Sequence, residues 1–215
     1  MASLNIIFGG GGVAREVAWL MSTADPKCEP DLFVVSDRDW IADETIDGIP
    51  TIADRKFETL GAEPVNAYVA IGIPSVRRAL HKRLLHRPAT AFPSLIHALS
   101  CMDRRPGKVQ IGLGVVVYPT ASLTTEVLLG DFVQVNPSAT LGHGSTIGPY
   151  TTICPGANVS GNVTIGSGCF IGAGCVIREG ITICDDCVIG AGAVVVRNID
   201  TPGTWVGVPA EEFTR

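Results

Sequence analysis

Aliphatic side chains recur at every sixth position between residues 111 and 195. The residues four places further on are nearly all small or branched, among them Ala121, Ser145 and Cys169. A period of six fits neither an α-helix nor an alternating strand. It predicts a parallel β-helix of hexapeptide repeats, in which one short strand stacks on another. The fifteen aliphatic positions are Ile111, Val117, Leu123, Leu129, Val135, Leu141, Ile147, Ile153, Val159, Ile165, Ile171, Ile177, Ile183, Ile189 and Val195.

Three hexads make one triangular coil of 18 residues, so residues 111–200 predict fifteen strands in five coils. We expect the aliphatic residue of each hexad, and the small residue four places later, to point inward. Hexapeptide helices are left-handed, an exception to the usual right-handed crossover. The tail after Asp200 departs from the repeat, and we expect it to cap the open end of the helix.

The first half of the chain alternates between strand and helix patterns. Apolar runs at Leu4–Phe8, Leu32–Val35 and Ala67–Ile71 predict strands, and helical spacing follows at Val13–Met21 and from Ser75 to about Leu85. This alternation predicts an α/β domain with a small, Rossmann-like parallel sheet. The polar sequence DRRPGK at residues 103–108 predicts the junction, which gives domains 1–102 and 103–215.

Composition excludes several classes of protein. The chain has 215 residues and a formal net charge of −5, so it lacks the basic stripe of a nucleic-acid-binding protein. No apolar run approaches the roughly 18 residues of a membrane span, and the N-terminus lacks the features of a signal peptide. Seven cysteines, mostly at repeat positions, predict reduced thiols in the cytoplasm.

The phase of the repeat separates packing residues from candidate ligands. Cys187 falls in an inward slot and Cys184 points outward, so we expect packing at this pair and no metal site. Only one of the four histidines lies in the repeat, which excludes the three-histidine zinc site of a β-helical carbonic anhydrase. His81 and His86 share a basic helix face with Arg77 and are expected to be solvated. We expect His97, near the junction, to be structural.

His143 lies two places after the inward Leu141, at an outward corner of the coil. Adding 18 residues places Gly161 directly above His143, and subtracting 18 from Gly144 places Glu126 directly below. A base beside an unobstructed backbone N–H suits acyl transfer, because one group takes the proton and the other stabilises the oxyanion. The alternative is an ordinary surface residue at a corner.

Four glycines, Gly9 to Gly12, separate the first predicted strand from the first predicted helix. Gly9-x-Gly11-x-x-Ala14 matches a loose dinucleotide fingerprint, in which backbone N–H groups approach a phosphate at a helix N-terminus. A purely structural turn is the alternative. Asp37 follows the second strand, where an acidic residue contacts a ribose, and it could equally cap a helix.

The chain resembles the bacterial sugar-nucleotide N-acetyltransferases of the sialic-acid O-acetyltransferase type over essentially its whole length. Beyond the repeats, the resemblance rests on four segments: IIFGGGGVAREVA, YVAIGIPSVRRAL, VNPSATLGHGSTIG and WVGVPA. It implies a homotrimer that uses acetyl-CoA as co-substrate, with no bound cofactor and no metal. Acetyl-CoA would lie in the groove between the β-helices of neighbouring subunits.

The resemblance also implies roles for individual residues. His143 would be the general base and the Gly161 N–H the oxyanion donor, while Ala173 and Ala191 would contact the pantetheine arm of acetyl-CoA. The N-terminal domain would bind the nucleotide sugar through Gly10, Gly11, Gly12, Val13, Asp37, Gly72 and Ile73.

Three positions depart from the family pattern. Gly144 stands where family members usually have an acidic residue directly after the histidine. Thr152 stands where many members have a second histidine, and the loop after the first strand has Gly-Gly where relatives often have Gly-His. We hypothesise from the stacking that Glu126, or Asn136 on the neighbouring hexad, replaces the missing acid.

The expected reaction is acetylation of the 4-amino group of a nucleotide-linked 4-amino-4,6-dideoxy sugar in O-antigen or other polysaccharide biosynthesis. GDP-perosamine is the first candidate, followed by UDP- and dTDP-linked analogues. One alternative is O-acetylation of sialic acid or another sugar hydroxyl. Another is a non-catalytic trimer that binds nucleotide sugars. A dehydrogenase is disfavoured because the first domain lacks room for a second mononucleotide-binding half.

Overall fold

The computed structural model describes residues 3–24, 28–59, 61 and 63–214. The chain divides into two compact units, Met1–Gly72 with Val76–Leu95, and Ile73–Ser75 with Ile96–Arg215. The predicted junction, between residues 102 and 103, lies a few residues after this division. Cys101–Met102 already belongs to the second unit, because it pairs with Ser122–Leu123. Within the described ranges, no helix is long and apolar enough to cross a membrane.

A six-stranded sheet forms the centre of the first unit, with strand order β3-β4-β2-β1-β5-β6. Its pairings are parallel except for the β3–β4 hairpin. The strands are β1 (Leu4–Phe8), β2 (Leu32–Val35), β3 (Thr45–Ile46), β4 (Ile49–Ala53), β5 (Val65–Val69) and β6 (Thr90–Ala91). The helices are α1 (Gly12–Ala24), α2 (Asp54–Phe57) and α3 (Pro74–Leu84).

Strand β1 lies between β2 and β5, and its residues Ile6, Ile7 and Phe8 are buried. Continuous burial is typical of a central parallel strand, whose two faces are both covered. The predicted strands at Leu4–Phe8 and Leu32–Val35 are confirmed, and the third begins slightly earlier, at Val65. The β3–β4 hairpin was not predicted, because its strands are short and alternate poorly.

Helix α3 differs from its prediction on one face. The prediction that His81 is solvated is wrong, since His81 is buried against Phe92 with ring centroids 4.7 Å apart. Arg77, on the same helix, is also buried, at 1% exposure. The Arg77 guanidinium donates hydrogen bonds to the carbonyl oxygens of Ile71 and Gly72, at the end of the chain segment that follows β5. His86 is exposed, as expected.

The second unit is a β-solenoid with three faces, each a sheet of stacked parallel strands. This is the architecture of a left-handed β-helix. Face A contains Val109–Ile111, Val127–Leu129, Thr146–Ile147, Thr164–Ile165 and Thr182–Ile183. Face B contains Leu95–Ile96, Val116–Val117, Gln134–Val135, Thr152–Ile153, Phe170–Ile171, Val188–Ile189 and Thr204–Val206. Face C contains Cys101–Met102, Ser122–Leu123, Thr140–Leu141, Asn158–Val159, Val176–Ile177 and Val194–Val195.

The predicted inward positions are confirmed. All fifteen aliphatic positions fall in strands, and all but the partly buried Ile111 are at most 2% exposed. The residues four places later are also buried, including the polar Ser145 and Thr151. Their hydroxyl groups donate to the carbonyl oxygens of Ser160 and Gly166, which satisfies them inside the core.

One further turn of strands precedes the predicted repeat. Leu95–Ile96 joins face B and Cys101–Met102 joins face C, where Cys101 pairs with Ser122. The six-residue spacing from Ile96 to Met102 becomes nine residues from Met102 to Ile111. Three extra residues in the turn around Pro106 therefore break the period and hide this first coil from the sequence pattern.

The tail after Asp200 lies at the other end of the solenoid. Thr204–Val206 adds a parallel strand to Val188–Ile189, and Glu211–Glu212 folds back antiparallel as the last strand of face B. All seven cysteines are free, and the Cys184 and Cys187 sulfur atoms lie 3.4 Å apart. Across the described ranges, no group of three or more His, Cys, Asp or Glu side chains is arranged for a metal ion.

Candidate functional site

The turn between β1 and α1 presents unpaired backbone donors. No acceptor for the N–H groups of Gly10, Gly11, Gly12 and Val13 lies within the described part of the chain. Helix α1 has no acidic residue in its first turn, and Arg15 lies there instead. The partial positive charge of a helix N-terminus is therefore reinforced, which favours a bound anion such as a phosphate.

The glycines of this turn serve two different purposes. A Cβ atom on Gly9 would lie 2.7 Å from the Ala70 carbonyl oxygen, and one on Gly10 would lie 2.9 Å from a methyl group of Val35. Nothing lies within 4 Å of a Cβ atom built on Gly11 or Gly12. The first two glycines are required by packing against neighbouring strands, whereas the next two face open space.

A cavity of about 660 Å³ extends from this turn. Its walls combine apolar and charged groups from the first unit. They are formed by Phe8, Gly9, Gly10, Gly11, Arg15, Val34, Val35, Ser36, Asp39, Glu44, Ile46, Asp54, Ile71, Val76, Ala79, Leu80 and Arg83. The size suits a nucleotide, since ligand pockets usually span about 300–1,000 Å³.

The predicted nucleotide-binding residues are only partly brought together. Gly10 and Gly11 line the cavity, whereas the lining does not include Gly12, Val13, Gly72 or Ile73. Asp37 also lies outside the lining, and its carboxylate accepts the Arg55 backbone N–H at 3.2 Å.

An acidic residue that the sequence analysis missed lines the cavity close to Asp37. Asp39 contributes to the wall and accepts a hydrogen bond from the Ser36 hydroxyl at 2.7 Å. It follows β2, the position from which an acidic residue reaches a ribose in doubly wound folds. The turn that begins at Ser36 therefore directs Asp39, and not Asp37, towards the cavity.

The second candidate site lies on the solenoid, at the corner that follows face C. A Cβ atom built on Gly161 would lie 2.7 Å from Nε2 of His143, so the imidazole rests directly on the glycine one coil above. The His143 carbonyl accepts the Asn162 N–H at 2.7 Å, which fixes the backbone of this corner. The predicted stacking of His143 and Gly161 is therefore present.

The Gly161 N–H has the character of a free donor. No acceptor for it lies among the described residues, while the Gly161 carbonyl accepts the Gly180 N–H at 3.0 Å. His143 is exposed, and its ring has no hydrogen-bond partner in the described ranges. A proton acceptor and an unoccupied donor thus lie side by side on one solvent-accessible corner.

Glu126 lies one coil below Gly144, as predicted, but its carboxylate is occupied. The Lys108 ammonium donates to it at 2.7 Å and is the main reason that its pKa falls below the usual range. The charge of His143 contributes to the same lowering, so the two side chains are within electrostatic reach. Lys108 precedes Glu126 by 18 residues, one coil of the repeat, and was not identified from the sequence.

The Asn136 side chain is engaged elsewhere. Its amide Nδ2 donates to the Ile153 carbonyl oxygen at 2.8 Å, at the corner after face B. This bond ties Asn136 to the coil above it. His143 lies after face C, so Asn136 and His143 occupy different corners of the triangle.

At the corner after face B, one column of stacked residues changes from proline to alanine along the solenoid. The residues one coil apart are Pro119, Pro137, Pro155, Ala173 and Ala191. The prolines have no N–H, whereas the N–H groups of Ala173 and Ala191 find no acceptor among the described residues. Both alanines are exposed. Two adjacent coils therefore offer a short row of backbone donors.

The chain shares sequence and structure with bacterial transferases. Residues 162–197 match the family described as bacterial transferase hexapeptide (six repeats). No curated protein sequence matches the chain at a significant level.

Solved structures of bacterial proteins match over essentially the whole chain. The acetyltransferase domain of PglB from Neisseria gonorrhoeae, in complex with acetyl coenzyme A, is 29% identical with a TM-score of 0.86, covering 99% of this chain and 100% of that one. PerB from Caulobacter crescentus, in complex with CoA and GDP-perosamine, is 25% identical with a TM-score of 0.86, covering 100% and 99%. WeeI from Acinetobacter baumannii is 26% identical with a TM-score of 0.87, covering 99% and 100%.

These matches extend across both units and are not confined to the repeat. The predicted resemblance to hexapeptide-repeat acyltransferases with an N-terminal α/β domain is therefore confirmed.

Proposed function

We propose that this hexapeptide-repeat acyltransferase moves the acetyl group of acetyl-CoA to the 4-amino group of a nucleotide-linked 4-amino-4,6-dideoxy sugar. The observation that carries the proposal is the imidazole of His143 resting on Gly161, whose N–H is free. PglB and PerB, which match both units, were solved with acetyl coenzyme A and with CoA and GDP-perosamine respectively. The likeness supports a CoA thioester as donor and a nucleotide sugar as acceptor.

In the proposed reaction the neutral amine attacks the thioester carbonyl carbon directly. As the C–N bond forms, the His143 imidazole accepts a proton from the amine, and the Gly161 N–H donates to the oxyanion. The C–S bond then breaks, and the imidazolium returns the proton to the departing thiolate. The products are an amide and free CoA, and no acyl-enzyme or metal takes part.

The first unit provides the features that a nucleotide sugar needs. The N–H groups of Gly10 to Val13 and the Arg15 side chain are suited to the diphosphate. Asp39 has the position expected of a ribose ligand, and it replaces Asp37 in our proposal. Gly72 and Ile73 remain candidates for contacts to the sugar from the resemblance alone, and the Gly72 carbonyl accepts a hydrogen bond from the Arg77 guanidinium.

We further propose a homotrimer of cytoplasmic subunits acting in polysaccharide biosynthesis. Ala173 and Ala191 follow face B, whereas His143 follows face C, so the proposed donor contacts and the base lie at different corners of the triangular cross-section, in different coils. Three triangular β-helices packed side by side in a trimer would bring a corner of one subunit against a corner of its neighbour. The free state of all seven cysteines is compatible with a reducing compartment.

The decisive experiment follows release of the CoA thiol with three acceptors, the GDP-, UDP- and dTDP-linked 4-amino-4,6-dideoxy sugars. We expect turnover with at least one of them, and a loss of about 10²–10⁴ in kcat for His143→Ala. His86→Ala, which changes another exposed histidine, serves as the matched control and should retain activity. Light scattering should give three times the 22.5 kDa chain mass.

Two results would change the proposal. If none of the amino sugars supports thiol release and a sugar hydroxyl does, the enzyme is an O-acetyltransferase that uses the same base. If His143→Ala retains full activity, the assignment of the base is wrong.

A further inference from the structure

The charged residues that line the 660 Å³ cavity of the first unit are unusual for an anion-binding pocket. Two arginines, Arg15 and Arg83, face three carboxylates, Asp39, Glu44 and Asp54. A nucleoside diphosphate carries negative charge, so an excess of carboxylates weakens its binding unless these groups accept hydrogen bonds from the ligand. A carboxylate can accept two such hydrogen bonds only if neither of its oxygens is already engaged within the protein.

Two of the three carboxylates are already occupied. The Arg83 guanidinium donates to both oxygens of Asp54, each at 2.6 Å, and the Ser36 hydroxyl donates to Asp39 at 2.7 Å. The Glu44 carboxylate has no hydrogen-bond or ion-pair partner within the described part of the chain. Glu44 is therefore the acid in the cavity that retains both oxygens for a ligand.

The backbone of Glu44 is fixed although its side chain is exposed. The Glu44 carbonyl accepts a hydrogen bond from the hydroxyl of Thr51, on β4, at 2.8 Å. Its N–H donates to the Ile41 carbonyl at 3.3 Å. Ile46, two residues further on, is 5% exposed and contributes an apolar wall to the same cavity. Glu44 and the apolar Ile46 thus contribute to the same cavity.

Electrostatics orders the ligand along the cavity. The free N–H groups and Arg15 attract phosphates to the start of α1, whereas a free carboxylate repels them. In doubly wound folds the ribose lies beyond the second strand, which here places it near Asp39. The base then needs a partner in the lining other than the turn before α1 and Asp39, and Glu44 is the lining carboxylate with both oxygens free among the described residues.

We infer that Glu44 reads the base and selects guanine, an inference that rests on the proposed nucleotide-sugar function. Guanine presents two adjacent donors, N1–H and the 2-amino group, which match the two oxygens of one carboxylate. Uracil and thymine present a single N–H between two carbonyl oxygens, which a carboxylate repels. Adenine and cytosine offer one amino group beside a ring acceptor. The acceptor substrate is accordingly a GDP-linked amino sugar.

Calorimetric titration with GDP, UDP, dTDP and inosine diphosphate tests this inference. Inosine diphosphate differs from GDP only by the missing 2-amino group, so it isolates one of the two proposed hydrogen bonds. We expect GDP to bind at least about tenfold more tightly than each of the others, the size of one charge-assisted hydrogen bond. Equal binding of GDP and inosine diphosphate, or tighter binding of UDP or dTDP, would overturn the inference.

Glu44→Gln supplies the second arm of the test, because its amide has one acceptor and opposes the other donor. GDP affinity should fall about tenfold or more, and its advantage over inosine diphosphate should disappear. Asp43→Asn removes an equal charge from an exposed neighbour outside the cavity lining and should change neither value. Unchanged GDP affinity in Glu44→Gln would also overturn the inference. Failure of every nucleoside diphosphate to bind would overturn the proposed function as well.

Discussion

The imidazole of His143 lies so close to Gly161 that no side chain fits between them, with Nε2 only 2.7 Å from the position of a Cβ atom. Gly161 does not adopt the left-handed backbone conformation of many other glycines in the solenoid. Its lack of a side chain is therefore required by the neighbouring ring and not by the turn. The proposed base and the proposed oxyanion donor are consequently linked by a single contact.

Gly161→Ala tests this link. Alanine can adopt the backbone conformation, but its methyl group must displace the imidazole from the free N–H. We expect kcat to fall by about 10²–10³, the range seen when an oxyanion donor is lost, with the melting temperature nearly unchanged. Full activity in a folded variant would show that the stacking of His143 on Gly161 has no part in the reaction.

The two classes of glycine before α1 predict opposite effects of the same substitution. Gly11→Ala adds a methyl group to open space, so we expect normal stability and at least tenfold weaker binding of the nucleotide sugar. Gly10→Ala drives a methyl group against Val35, so we expect lower stability, by about 1–3 kcal/mol. Thermal unfolding and nucleotide titration of both variants separate the two roles. Unimpaired binding by Gly11→Ala would contradict the proposed phosphate site.

Ala173→Pro and Ala191→Pro remove one backbone donor each. The solenoid already holds proline at the equivalent positions in three coils, Pro119, Pro137 and Pro155, so the backbone should tolerate both changes. We expect KM for acetyl-CoA to rise about fivefold to tenfold, the size of one hydrogen bond, while kcat stays within about twofold. An unaltered KM in both variants would place the pantetheine arm elsewhere.

The pair formed by Lys108 and Glu126 predicts changes in pH dependence. A negative charge near an imidazole favours its protonated form, and the Lys108 ammonium partly cancels this effect. Glu126→Ala should move the acidic limb of the kcat/KM profile to lower pH, and Lys108→Met should move it to higher pH. Both shifts should be small because the two side chains are screened by solvent, and steady-state kcat/KM measured across pH tests their direction. If kcat and the profile are unchanged in Glu126→Ala, this residue does not replace the missing acid.

Buried thiols predict a loss of stability at alkaline pH. Burial raises the pKa of Cys175 from 9.0 to about 12. A raised pKa means that this thiol contributes its full stability below pH 9, and that the contribution is lost as the pH rises towards 12. Cys175→Ala should therefore show a shallower decline in the free energy of unfolding between about pH 8 and pH 10.5.

Alanine occupies the equivalent inward position in neighbouring coils, Ala157 and Ala193, so the fold should tolerate Cys175→Ala with a loss of about 1 kcal/mol. Cys101→Ala, at an exposed thiol, is the control and should decline like the wild type. Parallel curves for all three proteins would show that the Cys175 thiol does not govern the alkaline limit.

The repeat made the solenoid predictable because its period fixes register as well as strand position. The pairing of His143 with Gly161 follows from counting 18 residues, and the structure contains it. Counting failed where the spacing changes between Met102 and Ile111. The coil before this insertion was missed. The pair formed by Lys108 and Glu126 is 18 residues apart and obeys the same count.

The cavity of the first unit was less predictable. The glycine turn is recognisable in sequence, but which glycines face open space depends on packing against Ala70 and Val35. The choice between Asp37 and Asp39 depends on a turn of four residues, whose side-chain directions no periodic pattern determines. Glu44 belongs to a hairpin that short strands concealed.

The change from proline to alanine in one corner column has a consequence for the reach of a bound ligand. Successive coils lie about 4.8 Å apart, so Ala173 and Ala191 place two donors one strand spacing apart along the axis. Inserting one additional 18-residue coil between Gly161 and Ala173 would slide those donors by that distance relative to His143, with every local contact kept. The length of acyl carrier that a solenoid of this kind accommodates can therefore be changed only in whole-coil steps.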